Sequence, residues 1–156
     1  MTAVAFPRAE SGIRSTSRSV VRAIVRRLPV VSRCLLGFIF LLAGLNGFLN
    51  FMPAPTSLPK GATDFMLALV QTGYFLKLLA GTQALAGALL LVNRYVPLAL
   101  ALLAPVIVNI VAFHVFLLPS GIVMAAIVFV LEMHLAMTYR ASYRSMLAAR
   151  VSPTAR

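Results

Sequence analysis

Residues 95–131 read YVPLALALLAPVIVNIVAFHVFLLPSGIVMAAIVFVL, a run of 37 residues without an Asp, Glu, Lys or Arg. At 1.5 Å per residue one helix of this length would reach about 55 Å, whereas the hydrocarbon core of a bilayer is about 30 Å thick. A break is therefore required. LPSG at residues 118–121 supplies it, because proline removes a backbone donor and glycine permits a turn. We predict two membrane spans here, over residues 96–118 and 122–139.

Two further charge-free stretches lie toward the N-terminus, at residues 34–59 and 78–93. They predict a first span over residues 34–52 and a second over residues 75–92, with Lys77 near an end where its stem can reach the headgroups. Between these spans, residues 65–72 form an apolar segment that is too short to cross. We expect this segment to lie in the membrane interface or on the bundle.

The composition supports the same architecture. With 61% hydrophobic residues, 11% charged residues and a mean hydropathy of +0.96, the 156 residues leave no room for a soluble catalytic domain. We therefore predict an all-α fold, a four-helix transmembrane bundle. It divides into an Arg/Ser-rich N-terminal segment (residues 1–33), a membrane domain (residues 34–140) and a basic tail (residues 141–156).

The basic residues predict the orientation of the bundle. Twelve of the 14 lie in the two termini or at Arg94, between the second and third spans. Four spans place all of these on one side, which the positive-inside rule makes cytoplasmic. The formal charge of +11 flanks the apolar segments instead of forming a folded basic face, which argues against nucleic acid as a partner. A cleaved signal or transit peptide is the alternative interpretation of the N-terminus.

Four arginines recur at every fourth position before the first span, at Arg14, Arg18, Arg22 and Arg26. Aliphatic residues gather on another face of the same segment. This pattern predicts a basic amphipathic helix that lies on an anionic leaflet; recruitment of a specific protein partner is the alternative.

One polar side chain falls inside each predicted span: Asn46, Gln83, Asn109 and Glu132. Counted from the outer end of each span they lie about 9 to 15 Å deep, in one layer near the middle of the membrane. Since polar groups are costly in hydrocarbon, we take these four as a candidate intramembrane site that faces the bundle interior. We expect Glu132, as the neutral acid, to donate to Asn109 or Gln83. The alternative is that the four only hold the helices together.

His114 is a secondary candidate, and its alternative is a packed or interfacial histidine. His134 lies about 12 Å from His114 along the membrane normal. Two histidines that bind one haem must lie at the same depth, so a haem bound by both is not expected. The single cysteine, Cys34, excludes an intramolecular disulfide and a dithiol redox pair. We predict no metal site and no catalytic residue.

CLLGFIFLLAGLNGF at residues 34–48 is the first of several motifs in a characteristic order. The others are TGYF (72–75), VNRYVPLA (92–99), APVIVNI (104–110) leading to His114, and LPSG (118–121). Over roughly residues 35–144 their order and spacing resemble the DoxX family, which are small four-helix membrane proteins of bacteria.

The resemblance implies a subunit of the bacterial cytoplasmic (inner) membrane. Members of the family are linked with quinone-dependent sulfur oxidation and with membrane-associated redox defence complexes. The family commonly has a Glu in its second helix where this chain has Gln83. Proton or cation chemistry that depends on that acid is therefore not expected here.

These observations favour an accessory membrane subunit of a quinone-linked redox system, without a catalytic cofactor of its own. Amide and carboxyl groups of the polar layer would hydrogen-bond a quinone headgroup or a small thiol compound. The alternative is a non-catalytic scaffold or assembly factor; a small-molecule transporter is disfavoured because the sequence has no repeat or paired broken helices. The expected partners are the lipid bilayer, a membrane or peripheral redox protein, and a second copy of the chain.

Overall fold

The computed structural model describes residues 10–53 and 57–143, and the side chains within these ranges from Arg27 onward. This part of the chain is all-helical and contains no strand, which confirms the predicted fold class. The helices are α1 (Glu10–Leu49), α2 (Lys60–Gln71), α3 (Phe75–Leu91), α4 (Val96–Phe116), α5 (Ile122–Thr138) and α6 (Arg140–Tyr143), with a 3-10 turn at Pro119–Gly121. The side chains of the predicted arginine stripe and the tail beyond residue 143 lie outside the described part.

Three helical segments in the described ranges are long and apolar enough to cross a membrane: Arg27–Leu49, Val96–Phe116 and Pro119–Thr138. A fourth crossing arises if α2 and α3 are counted together, since this pair passes the same test but bends by 92°. α3 itself has 17 residues and reaches about 25 Å. The chain thus has the three to four spans of an integral membrane protein.

The four long helices pack in a ring, in the order α1, α3, α4, α5 and back to α1. α1 and α3 are antiparallel, because Gly37 lies against Gly87 at one end while Gly47 lies against Ala80 at the other. Aliphatic side chains and Phe40 fill the interior. This arrangement is the predicted four-helix bundle.

Glycines allow the backbones of α1 and α3 to touch. A Cβ added to Gly44 would lie 2.3 Å from the backbone nitrogen of Ala84, and one added to Gly87 would lie 2.4 Å from that of Leu41. Lipid tails are as apolar as leucine, so helices in a membrane associate through such close packing instead of the hydrophobic effect. We call this contact the glycine seam; it consists of Gly37, Gly44 and Gly47 on α1 and Ala80, Ala84 and Gly87 on α3.

The end of α1 and the start of α2 differ from the prediction by three to five residues. α1 is continuous from Glu10 and ends at Leu49, three residues early, because Asn50 adopts a left-handed φ of 50°. α2 begins at Lys60 instead of residue 65, directly after a proline. Its first turn carries an exposed ion pair in which Lys60 Nζ lies 2.7 Å from Asp64 Oδ2.

The bend between α2 and α3 is formed by Thr72 and Gly73. Gly73 has a φ of 74°, which favours glycine, and its N–H donates to the carbonyl of Val70 at 3.0 Å. The Thr72 hydroxyl donates to the carbonyl of Leu69 at 2.6 Å and accepts the N–H of Phe75 at 3.1 Å. Thr72 therefore ties the last turn of α2 to the first turn of α3, and α2 stands nearly perpendicular to the bundle helix that follows it.

The turn between α3 and α4 is a Schellman motif centred on Asn93, whose φ is 56°. The N–H of Asn93 donates to the carbonyl of Leu90 at 3.2 Å, and the N–H of Arg94 donates to that of Leu89 at 3.0 Å. These bonds satisfy carbonyls that the end of α3 would otherwise leave without a donor.

Arg33 of α1 adds a side-chain cap to the same helix end. Its guanidinium donates to the carbonyl oxygens of Leu90 and Leu91, the second at 3.4 Å. Only 8% of the Arg33 surface is exposed. From the sequence this residue belongs to the basic flank of the first span, whereas in the structure it is a buried cation at the negative end of the α3 dipole.

Candidate functional site

Gln83 of α3 and Asn109 of α4 line one cavity, with a volume of about 280 Å³. We call it the amide cavity. Its other lining residues are apolar and come from α2, α3 and α4: Leu69, Phe75, Leu79, Pro105, Val106 and Ile110. The structure thus brings together two of the four polar residues that the sequence singles out.

Helix periodicity explains how each amide reaches the cavity. Leu79 and Gln83 are four residues apart on α3, and Pro105 and Asn109 are four apart on α4, so each pair shares one face of its helix. On α3 this face lies beside the glycine seam, since Gln83 directly precedes Ala84. The tight contact with α1 therefore fixes the position of α3 while the neighbouring face stays open toward α4.

Among the described residues, neither the Gln83 nor the Asn109 side chain has a hydrogen-bond partner. Asn109 is exposed in the middle of α4, where lipid tails offer neither donors nor acceptors. An unpaired amide in an apolar medium costs roughly 2–7 kcal/mol. These side chains are therefore well suited to bind a polar group that enters from the membrane.

A second cavity of about 530 Å³ lies next to the first, since Pro105 and Asn109 line both. We call it the aromatic groove. Its remaining lining residues are apolar and come from α2 and α4: Phe65, Val108, Ala112, Phe113, Phe116 and Leu117. The ring centroids of Phe65 and Phe113 lie 5.7 Å apart, so α2 packs on α4 across this groove.

The contribution of α2 is the part of the site that sequence reasoning misses. Phe65 lines the aromatic groove and Leu69 lines the amide cavity. Their spacing of four residues places them on one face of α2, which is a signal available in the sequence. What the sequence does not show is the 92° bend that turns this face toward α4.

Asn46 does not line the amide cavity; it lies in the last turn of α1. Its side-chain oxygen accepts the N–H of Met52 at 2.7 Å, and its carbonyl accepts the N–H of Asn50 at 2.8 Å. Because α1 ends at Leu49, Asn46 is about 5 Å from the helix end, which corrects its predicted depth of about 9 Å. Asn46 therefore stabilises the C-terminal end of α1.

Glu132 is buried on the bundle-facing side of α5, with 7% of its surface exposed. It is not among the residues that line the amide cavity. In the described part of the chain its Oε2 has no hydrogen-bond partner. The predicted bond to Asn109 or Gln83 is not present in the structure.

Tyr143 connects the last described residues of the chain to α4. The Tyr143 hydroxyl donates to the carbonyl of Pro97 at 2.9 Å and so ties α6 to the start of α4. Burial raises the pKa of Tyr143, and the charge of Glu132 adds to this shift. Glu132 lies six residues before the end of α5 and lines neither cavity.

His114 is held within its own helix end. Its Nδ1 donates to the carbonyl of Ile110 at 2.7 Å, and a Cβ added to Gly121 would lie 2.2 Å from the imidazole ring. Gly121 thus leaves the space in which the ring packs against the turn before α5. His134 is separate, and its Nε2 is buried without a partner among the described residues. No group of three or more potential metal ligands occurs within the described ranges.

Comparisons with models of protein families, with curated proteins and with solved structures find no match to this chain. The candidate site is therefore defined by its own geometry, two amides in an otherwise apolar cavity that have no hydrogen-bond partner in the described part of the chain.

Proposed function

We propose that this integral membrane protein is an accessory subunit of a quinone-linked redox system and that its amide cavity holds the quinone headgroup. The observation that carries the proposal is the meeting of Gln83 and Asn109 in one apolar cavity between α2, α3 and α4. In this proposal the chain supplies the binding site, and the redox cofactor belongs to a membrane or peripheral partner protein.

The chemistry of the cavity suits a quinone ring. A quinone offers two carbonyl oxygens, and each amide side chain offers two N–H donors. A cavity of about 150 Å³ with apolar walls is known to take benzene, so about 280 Å³ is enough for a substituted ring. The apolar walls exclude water, which strengthens each hydrogen bond.

Replacing both amides tests the proposal. In lipid nanodiscs, Gln83→Leu and Asn109→Leu should each weaken the binding of a radiolabelled benzoquinone about tenfold, because each removes one hydrogen bond worth about 1 kcal/mol or slightly more. The double variant should lose about a hundredfold. Thr82→Val is the matched control, since the Thr82 hydroxyl donates to the carbonyl of Leu78 at 3.0 Å on its own helix and should leave affinity unchanged.

A scaffold or assembly role is the competing function. It is favoured by Asn46 and His114, whose side chains both bond to nearby backbone and not to a shared site. Wild-type protein that binds no quinone, or a double variant that binds as tightly as wild type, would leave the scaffold as the better explanation.

We further propose that the chain is a DoxX family protein of the bacterial inner membrane. Three of the motifs behind this resemblance coincide with connections between helices. TGYF (72–75) forms the bend after α2, VNRY (92–95) forms the turn after α3, and LPSG (118–121) contains the turn before α5. Residues that define turns are those expected to recur when a bundle topology is shared.

In the proposed orientation both termini and the Arg94 turn are cytoplasmic. On a background in which the exposed Cys34 is replaced by alanine, Ser57→Cys should react with a membrane-impermeant thiol reagent in intact cells. Ser142→Cys should react only after permeabilisation. Both serines are exposed, so each substitution tests accessibility from one side; the opposite labelling pattern would reverse the topology.

A further inference from the structure

We infer that the ligand of the amide cavity is a membrane lipid with one polar ring and a long apolar tail, and that the tail lies in the aromatic groove under α2. This inference rests on the proposed function, because it takes the position of the headgroup from the amide cavity. It adds the class of the ligand, an isoprenoid-tailed quinone instead of a short water-soluble one.

The adjacency of the two cavities is the first reason. Pro105 and Asn109 line both, so a ring that bonds to Asn109 already lies at the opening of the aromatic groove. From Pro105 to Leu117 the groove follows α4 for 12 residues, which is about 18 Å. A substituent on a ring bound at Asn109 therefore has the aromatic groove directly beside it.

The lining of the groove is the second reason. Apart from Asn109 every residue that lines it is apolar, and four of them are aromatic or leucine side chains: Phe65, Phe113, Phe116 and Leu117. Such a surface offers a tail dispersion contacts and no hydrogen bonds. A headgroup without a tail would use only the smaller cavity.

The position of α2 is the third reason. Its Leu69 and Phe65 lie on one face and line the two cavities in turn, so the helix covers the ring site with one residue and the tail site with the other. The rings of Phe65 and Phe113, whose centroids lie 5.7 Å apart, hold α2 against α4. A ligand that enters sideways from the lipid would pass beneath α2.

The experiment compares two benzoquinones that share one ring and differ only in a two-isoprene tail. Affinities are measured in nanodiscs and each variant is compared with wild type for the same ligand, so that partition into the lipid cancels. Ala112→Phe fills the groove and should weaken the tailed ligand at least tenfold while changing the tailless ligand less than twofold. Ala104→Phe is the matched control on the exposed surface of α4 and should change neither.

Val108→Trp provides a second variant in case Ala112→Phe fails to fold, since Val108 lines the groove with 62% of its surface exposed. It should show the same selective loss. If both ligands weaken equally, or the tailed ligand binds as in wild type, the tail does not lie in this groove while the headgroup site stands. If wild type binds neither ligand, the proposed function itself fails, and the inference fails with it.

Discussion

Gly44→Ala should lower the free energy of unfolding of the bundle by about 2–3 kcal/mol, the upper range for an added methyl group that has no space. Its Cβ would lie 2.3 Å from the backbone nitrogen and 2.7 Å from the Cα of Ala84. No flexible side chain can move aside, so α1 and α3 must separate along the seam. Thermal unfolding in detergent micelles, followed by helical circular dichroism, should show a Tm about 5–10 °C lower.

Gly81→Ala is the matched control for this result. It makes the same chemical change on α3, but the added Cβ would meet only the ring of Phe48, at 3.8 Å. Alanine also forms helix better than glycine by about 0.5–1 kcal/mol, so Gly81→Ala should leave Tm unchanged or raise it. Equal losses in the two variants would mean that glycine flexibility, and not close packing at the seam, is what matters.

The seam also explains why the candidate site can remain open. α3 carries two adjacent faces, one pressed against α1 through Ala80, Ala84 and Gly87, the other lined by Leu79 and Gln83. The first face carries the close backbone contacts between α3 and α1. Cavities between α2, α3 and α4 are therefore compatible with close packing of α3 on α1.

The helices and their breaks could be predicted because they depend on local sequence. The apolar runs exceed the thickness of a membrane, and the LPSG turn and the Asn93 turn use residues whose backbone preferences stop a helix. The pairing of Gln83 with Asn109 also follows in part from the sequence, since counting residues from the outer ends of their spans predicts similar depths for both.

The rest of the site depends on three-dimensional geometry that cannot be obtained by counting residues along the chain. Asn50 has a left-handed φ and ends α1 early. Asn46 is therefore part of a helix end and not a residue near the middle of the membrane. Counting residues predicts how deep a side chain lies but not which way it faces around the bundle. Glu132 can therefore lie at a depth similar to that of Gln83 without lining the amide cavity. The basic flank likewise includes Arg33, which is buried only because α3 ends beside it.

Arg33→Met should destabilise the bundle by about 2 kcal/mol, the range for hydrogen bonds from a charged donor. The guanidinium bonds to the carbonyls of Leu90 and Leu91 and lies at the negative end of the α3 dipole. Methionine keeps much of the side-chain volume but cannot donate, so these carbonyls lose a donor in a site that is almost closed to water. The expected result is a lower Tm in detergent, with hydrogen exchange faster at the C-terminal end of α3 than elsewhere in that helix.

Desolvation of the arginine opposes this effect, and for buried ion pairs it can exceed the gain. We expect the hydrogen bonds of Arg33 to outweigh its desolvation cost. The cation contacts helix carbonyls at the edge of the bundle and not a second charge in its centre. Arg27→Met, on the same helix but exposed, should change Tm little and so separates the cap from the loss of one positive charge. Arg33→Lys should fall between the two, because lysine keeps the charge and its N–H donors on a shorter side chain, which reaches less closely to the two carbonyls that Arg33 contacts through Nη1. An Arg33→Met variant as stable as wild type would show that desolvation of the buried cation cancels its bonds.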